Sequence, residues 1–165
     1  MSKIYYLTLF LICSFLLAFA LWIQHHGWFG ALYPPCPLCI FQRVAFLMVA
    51  LFSLCAFLFY SLKRIFHYLA LFFALIGLAT ALRHQWVIAH PQASCGLDPL
   101  EVWINQLPIV HAVPSFFKAD GFCSMPLPPI FFLSVPLWSL LFFVVFIGLL
   151  SAPWFVNLKR SRHEF

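Results

Sequence analysis

Charge is what this sequence lacks. Only 8% of its 165 residues are Asp, Glu, Lys or Arg, against 65% hydrophobic. A soluble domain carries roughly 25% charged residues. A chain this poor in charge cannot cover its surface with polar groups, so lipid must cover part of it. The 22 phenylalanines point the same way. The length suits one domain, 1–165, rather than two. A formal charge of +5 does not indicate nucleic acid. The basic residues lie at the ends of apolar runs and form no patch with spaced aromatics.

Four apolar stretches are long enough to cross a bilayer core, which takes about 20 residues. They run over about 5–23, 39–60, 65–82 and 129–150. An all-α bundle of four transmembrane helices is expected, with loops at about 24–38 and 83–128. Lys3 and the small residues of Ala18-Phe19-Ala20 resemble a signal peptide. Leu21, Trp22 and Ile23 carry the apolar run past them, so the first stretch is expected to remain a span. Pro136 is expected to kink the fourth span. Ala70, Ala74, Gly77 and Ala81 share one face of the third, where small residues let helices approach closely in lipid. In the long loop, Asp98-Pro99-Leu100-Glu101 has the pattern of a helix start. Leu100, Trp103, Ile104 and Leu107 then predict a short amphipathic helix on the membrane surface, with packing on the bundle as the alternative.

Lysine and arginine set the orientation. With the amino terminus inside, Lys3, Lys63, Arg64, Lys159, Arg160 and Arg162 are inside, and Arg43, Arg83 and Lys118 are outside. Both termini are therefore expected in the cytoplasm. Of six cysteines, Cys13 and Cys55 fall within apolar runs and read as small hydrophobes. Cys36, Cys39, Cys95 and Cys123 all fall on the outer side, where disulfides persist.

Cys36-Pro37-Leu38-Cys39 is the sharpest motif. Two intervening residues let the sulfurs meet at a helix start, whose free N–H groups favour thiolate. A zinc half-site would need a second pair at similar spacing, whereas Cys95 and Cys123 are 28 positions apart. Zinc held by all four is the alternative, and no metal is expected. Arg43 follows Cys39 by four residues, on the same helical face. It is a candidate cation beside the thiol and a bound quinone. Cys95 and Cys123 form a candidate second redox pair or a structural staple. His90 is a weaker candidate for quinone contact and His25 weaker still, and His26 beside it reads as interfacial.

Trp22-Ile23-Gln24-His25, then Pro35-Cys36-Pro37-Leu38-Cys39-Ile40-Phe41-Gln42-Arg43, then Cys95 and the stretch from Phe116 to Cys123 resemble the disulfide bond formation protein B family over nearly the whole chain. The resemblance implies a thiol:quinone oxidoreductase of the bacterial inner membrane, with ubiquinone or menaquinone as electron acceptor. It implies redox disulfides Cys36–Cys39 and Cys95–Cys123. A periplasmic thioredoxin-like oxidase, disulfide bond formation protein A, would meet Cys95. Cys123 would then engage Cys36, Cys39 would face the quinone, and Arg43 and His90 would contact it. Gln42 stands where some members carry an acidic residue. A vitamin K epoxide reductase-type enzyme is disfavoured, because there the closely spaced pair follows the loop pair. A non-enzymatic metal-binding scaffold is the reading from another class.

If this orientation holds, a membrane-impermeant thiol reagent applied to mildly reduced, intact spheroplasts labels Cys95 or Cys123. Labelling only after lysis reverses the topology.

Overall fold

A computed structural model describes residues 2–28, 30–31, 33–90, 99–124 and 128–162, with side chains at 99–101 and 153–162 excepted. Four long helices dominate: α1 Lys3–His26, α2 Pro37–Leu58, α3 Lys63–Ala89 and, at the end of the chain, α7 Val135–Arg162. Three short ones, α4 Pro99–Asn105, α5 Pro108–Ala112 and α6 Pro114–Phe117, lie in the long connection. All four long helices have spans of sufficient length and apolarity to cross a membrane. Their outward faces carry Leu11, Phe15, Leu51, Phe72 and Val145, all exposed, as lipid contact requires. The chain is an all-α membrane protein of four spanning helices.

The helices pack in sequence order, α1 on α2, α2 on α3 and α3 on α7. The small-residue stripe is the seam. Ala70, Ala74, Gly77 and Ala81 are all on the buried face of α3. Phe143 of α7 presses its ring against Gly77, closer than any Cβ there would permit. The same ring stacks on Phe46 of α2, centroids 4.1 Å apart. Cys13 is sealed in this core and Cys55 is half-buried.

The helices run past or short of the expected bounds at several ends, and three of these bear on the site. The second span begins at Pro37, with Cys36 as its N-cap residue. The third helix runs seven residues past Leu82, to Ala89. Hydropathy falls at Arg83 and His84, but the helix continues because its polar residues find partners. Gln85 donates to Ser134 Oγ at 3.2 Å, and the Arg83 guanidinium sits over Trp86. The fourth helix starts only at Val135. The preceding residues form a tight turn in which Ile130 and Leu133 exchange both backbone hydrogen bonds, with Phe131 and Phe132 at φ of 48° and 71°. Trp138 Nε1–H donates to the Ile130 carbonyl at 2.8 Å and pins that turn. Pro136 thus falls in the first helical turn, where its missing N–H has no intrahelical acceptor to lose. The expected kink at Pro136 is corrected accordingly.

The predicted surface helix is α4. Ile104 is buried against Ile40 of α2, while Trp103 stays exposed. The helix therefore packs on the end of the bundle through Ile104, with Leu107 just beyond it against the same cluster. Asp98 lies outside the described residues.

Substituting Gly77→Ala should cost about 1–2 kcal/mol net. Overpacking costs roughly 1–3 kcal/mol, near the top of that range here because the Phe143 ring is held by Phe46, and helix propensity returns about 1 kcal/mol. Thermal denaturation in detergent reads this directly. Gly148→Ala, where an added Cβ meets nothing within 4 Å, should not lower stability.

Candidate functional site

The site is built where α2 begins. Pro37 occupies the first helical turn and its fixed φ suits that position. The turn carries Cys36 and Cys39 on one side, with sulfurs 3.3 Å apart as free thiols. Arg43 lies one turn further on and is buried. Its Nη1–H donates to Gln24 Oε1 of α1 at 2.7 Å. That contact holds the guanidinium between the two helices rather than letting it extend to water.

The extension of α3 delivers His84 to the same place. His84 is 4% exposed. Its Nε2 is 3.6 Å from Cys36 Sγ, and its Nδ1 is 4.0 Å from Cys39 Sγ and 3.3 Å from the Gln42 side-chain amide. His84 was not singled out in the sequence, yet a signal was present. The buried stripe of α3 runs 70, 74, 77, 81, and the next step of three is 84. A histidine on a helix face otherwise made of Ala and Gly must be facing something polar.

The long connection brings Cys123 in. Asn105 of α4 pairs with Ala119 through both its amide nitrogen, 2.9 Å, and its amide oxygen, 3.0 Å. Asp120 and Gly121 then both donate backbone N–H to the Pro35 carbonyl, at 3.0 and 3.1 Å. Gly121 is required there, because a Cβ would collide with the Pro34 carbonyl oxygen. Two residues on, Cys123 is buried beside Cys36 and Val87. The hydrogen bond between the two sulfurs holds the Cys123 thiol below its ordinary pKa, helped by the Leu38 N–H. The same bond, with burial, pushes Cys36 up. Cys123 is therefore the readier thiolate of the two.

Cys36, Cys39, Arg43 and His84 also line a cavity of about 410 Å³ between α1 and α7. Its walls are mostly apolar, with Phe15, Phe19, Phe46 and Phe142 among them, and Gln42 also lines it. Of the sequence candidates, Cys36, Cys39, Cys123 and Arg43 are brought together. His90 is not at this cavity. It is exposed, stacks on Trp86 and puts Nδ1 3.0 Å from the Trp86 carbonyl. His25 and His26 are exposed at the end of α1. Cys95 lies outside the described residues.

The chain matches, over residues 2–152, the family described as disulfide bond formation protein DsbB. It is 41% identical to disulfide bond formation protein B of Cupriavidus necator over 164 residues, 99% of this chain and 97% of that protein. It is 45% identical to disulfide bond formation protein B 2 of Burkholderia lata over 128 residues, 78% of this chain and 74% of the other. With the protein of the same description from Pseudomonas syringae pv. tomato, identity is 40% over 125 residues, 70% and 74% of the two chains.

In the reduced protein, the rate of Cys123 alkylation by a small haloacetamide should rise at lower pH than that of Cys36. Peptide mass spectrometry resolves the two. Gly121→Ala should push the loop off Pro34 and bring the Cys123 profile back toward that of an ordinary thiol. Coincident profiles in the unsubstituted protein would rule out the shared proton.

Proposed function

The chain belongs to the disulfide bond formation protein B family, multi-pass oxidoreductases of the inner membrane that serve disulfide bond formation, and we propose that it re-oxidises a periplasmic thioredoxin-like oxidase and passes the electrons to a membrane quinone. The observation that carries this reading is the line of groups from loop to lipid: Cys123 against Cys36, Cys36 against Cys39, and Cys39 on an apolar cavity with Arg43.

The exchange runs through this chain's own sulfurs. The partner's thiolate attacks Cys95 of the Cys95–Cys123 disulfide and releases Cys123 as thiolate. Cys123, released as the anion beside Cys36, attacks Cys36 of the Cys36–Cys39 disulfide and frees Cys39 on the cavity side. The partner's second thiol then attacks the mixed disulfide at the partner's own sulfur, leaving the oxidised partner and a Cys95 thiol. Cys95 in turn displaces Cys36 from Cys123. This restores the Cys95–Cys123 disulfide and leaves Cys36 and Cys39 as a dithiol. One partner dithiol has been oxidised and one dithiol of this chain formed, so electrons balance. Returning that dithiol to the disulfide releases two electrons and two protons, which a quinone accepts when it is bound.

The cavity fits such an acceptor. Its volume lies within the roughly 300–1,000 Å³ of ligand pockets. Phenylalanine walls suit an apolar ring and tail, and Arg43, Gln42 and His84 offer polar contacts. Arg43 supplies a fixed cation there, which favours negative charge developing on the acceptor. Both termini cytoplasmic and the cysteines periplasmic is the arrangement this route needs.

Arg43→Ala should slow quinone reduction about tenfold to a hundredfold, the equivalent of one charge-assisted hydrogen bond. The first exchange between reduced partner and the Cys95–Cys123 disulfide should stay within a few-fold of the unsubstituted rate. Anaerobic stopped-flow separates the two steps. Collapse of the first with the second intact would move Arg43 to the partner surface.

A further inference from the structure

Cys36 and Cys39 alone make a zinc half-site, and no second cysteine pair follows at similar spacing. The fold supplies a different third donor. Cys36 Sγ, Cys39 Sγ and a ring nitrogen of His84 all lie within 4.8 Å of one another. Tetrahedral zinc, with Zn–S near 2.3 Å and Zn–N near 2.0–2.1 Å, places two sulfurs about 3.7 Å apart and a sulfur and nitrogen about 3.5 Å apart. Here the sulfurs are 3.3 Å apart, and Cys36 Sγ to His84 Nε2 is 3.6 Å. The sulfurs must open by about half an ångström, and Cys39 Sγ, now 4.0 Å from Nδ1, must swing toward Nε2.

We propose that the reduced protein binds one soft divalent cation of the Zn²⁺ class through Cys36, Cys39 and His84, and that this cation holds the dithiol out of turnover.

The partner on the far side of the imidazole supports the assignment. A metal-bound imidazole nitrogen must be unprotonated, so the other ring nitrogen carries hydrogen and needs an acceptor. Gln42, itself 3% exposed, has its amide 3.3 Å from His84 Nδ1. Turned so that its oxygen faces the ring, it accepts Nδ1–H and leaves the Nε2 lone pair toward Cys36. Charge also balances. Two thiolates and a dication sum to zero, which costs less to bury than a bare thiolate. Three protein ligands leave the fourth position open.

Binding releases the two thiol protons to solvent and changes no oxidation state. Oxidation to the Cys36–Cys39 disulfide removes two of the three donors, so the site exists only in the reduced protein. The binding claim stands on geometry alone. Its consequence for turnover rests on the electron route proposed above.

The test uses the full chain in detergent, carrying Cys13→Ala and Cys55→Ala so that stray thiols do not compete. Under anaerobic conditions, Zn²⁺ is titrated against a chromophoric chelator. The reduced chain should take up one equivalent and the oxidised chain none. His84→Ala should weaken uptake by at least about tenfold, and His84→Cys should restore part of it. Co²⁺ in place of Zn²⁺ should show sulfur-to-metal charge transfer in the reduced chain only. One equivalent retained by the oxidised chain, or by a Cys36→Ser, Cys39→Ser chain, would overturn the assignment. So would no uptake by the reduced chain, a comparison that needs no substitution in the site. Stoichiometric Zn²⁺ should also slow quinone-dependent re-oxidation, reversed by chelator. Binding without that slowing supports the metal site and counts against the electron route.

Discussion

The Pro35 carbonyl accepts two backbone N–H groups from Asp120 and Gly121, and on this seam depends the meeting of the loop cysteine with the helix-start pair. It joins the end of the first loop to the end of the second at the mouth of the bundle. Pro34 and Pro35 have no N–H of their own, so this stretch offers its carbonyls without needing a paired donor in return. Gly121 allows the approach, since a side chain there would meet Pro34. Asn105 braces the loop from the other side through its two bonds to Ala119, which ties α4 into the same arrangement. Cys123 is carried to Cys36 as a result. Without the seam, the two sulfurs would belong to separate loops.

Below the seam, the constraint is desolvation. An arginine and a histidine beside an apolar cavity are costly to bury without partners. The fold meets that cost with short polar contacts rather than with carboxylates. Gln24 accepts from Arg43, and Gln42 meets His84. Among the described residues, the ion pair found is Lys118–Asp120, which is exposed and far from this chemistry in character. A positively charged site without a neutralising acid favours anions. That suits thiolates, a reduced acceptor and thiolate-rich metal coordination alike.

The bundle itself is stiffened where the site needs it. Phe143 fills the notch at Gly77 and stacks on Phe46, which also lines the cavity. The packing seam of α3 and the wall of the cavity are therefore one continuous set of contacts. The chain reaches His84 by continuing the same helical face from Ala81.

Four spanning helices, the cysteines outside the apolar runs and Arg43 one turn beyond Cys39 were legible in the residues, because hydropathy and helical spacing are local properties. Cys13 and Cys55 were separable from the other cysteines for the same reason. Helix ends were less legible. Hydropathy ended the third span at Leu82, where polar residues begin, although their partners at Ser134 and Trp86 keep the helix going. In the sequence Pro136 has the look of a kink within a helix, because the preceding turn, pinned by Trp138, is not a local pattern. His84 joined the site only in three dimensions: its partners are 42 and 48 positions away, at Gln42 and Cys36. Sequence alone determined that the chain lies in a membrane and carries dithiol chemistry, since composition and spacing suffice for both. Tertiary structure alone decided which sulfur meets which and which histidine stands between them, because those depend on where distant backbone segments find hydrogen-bond partners.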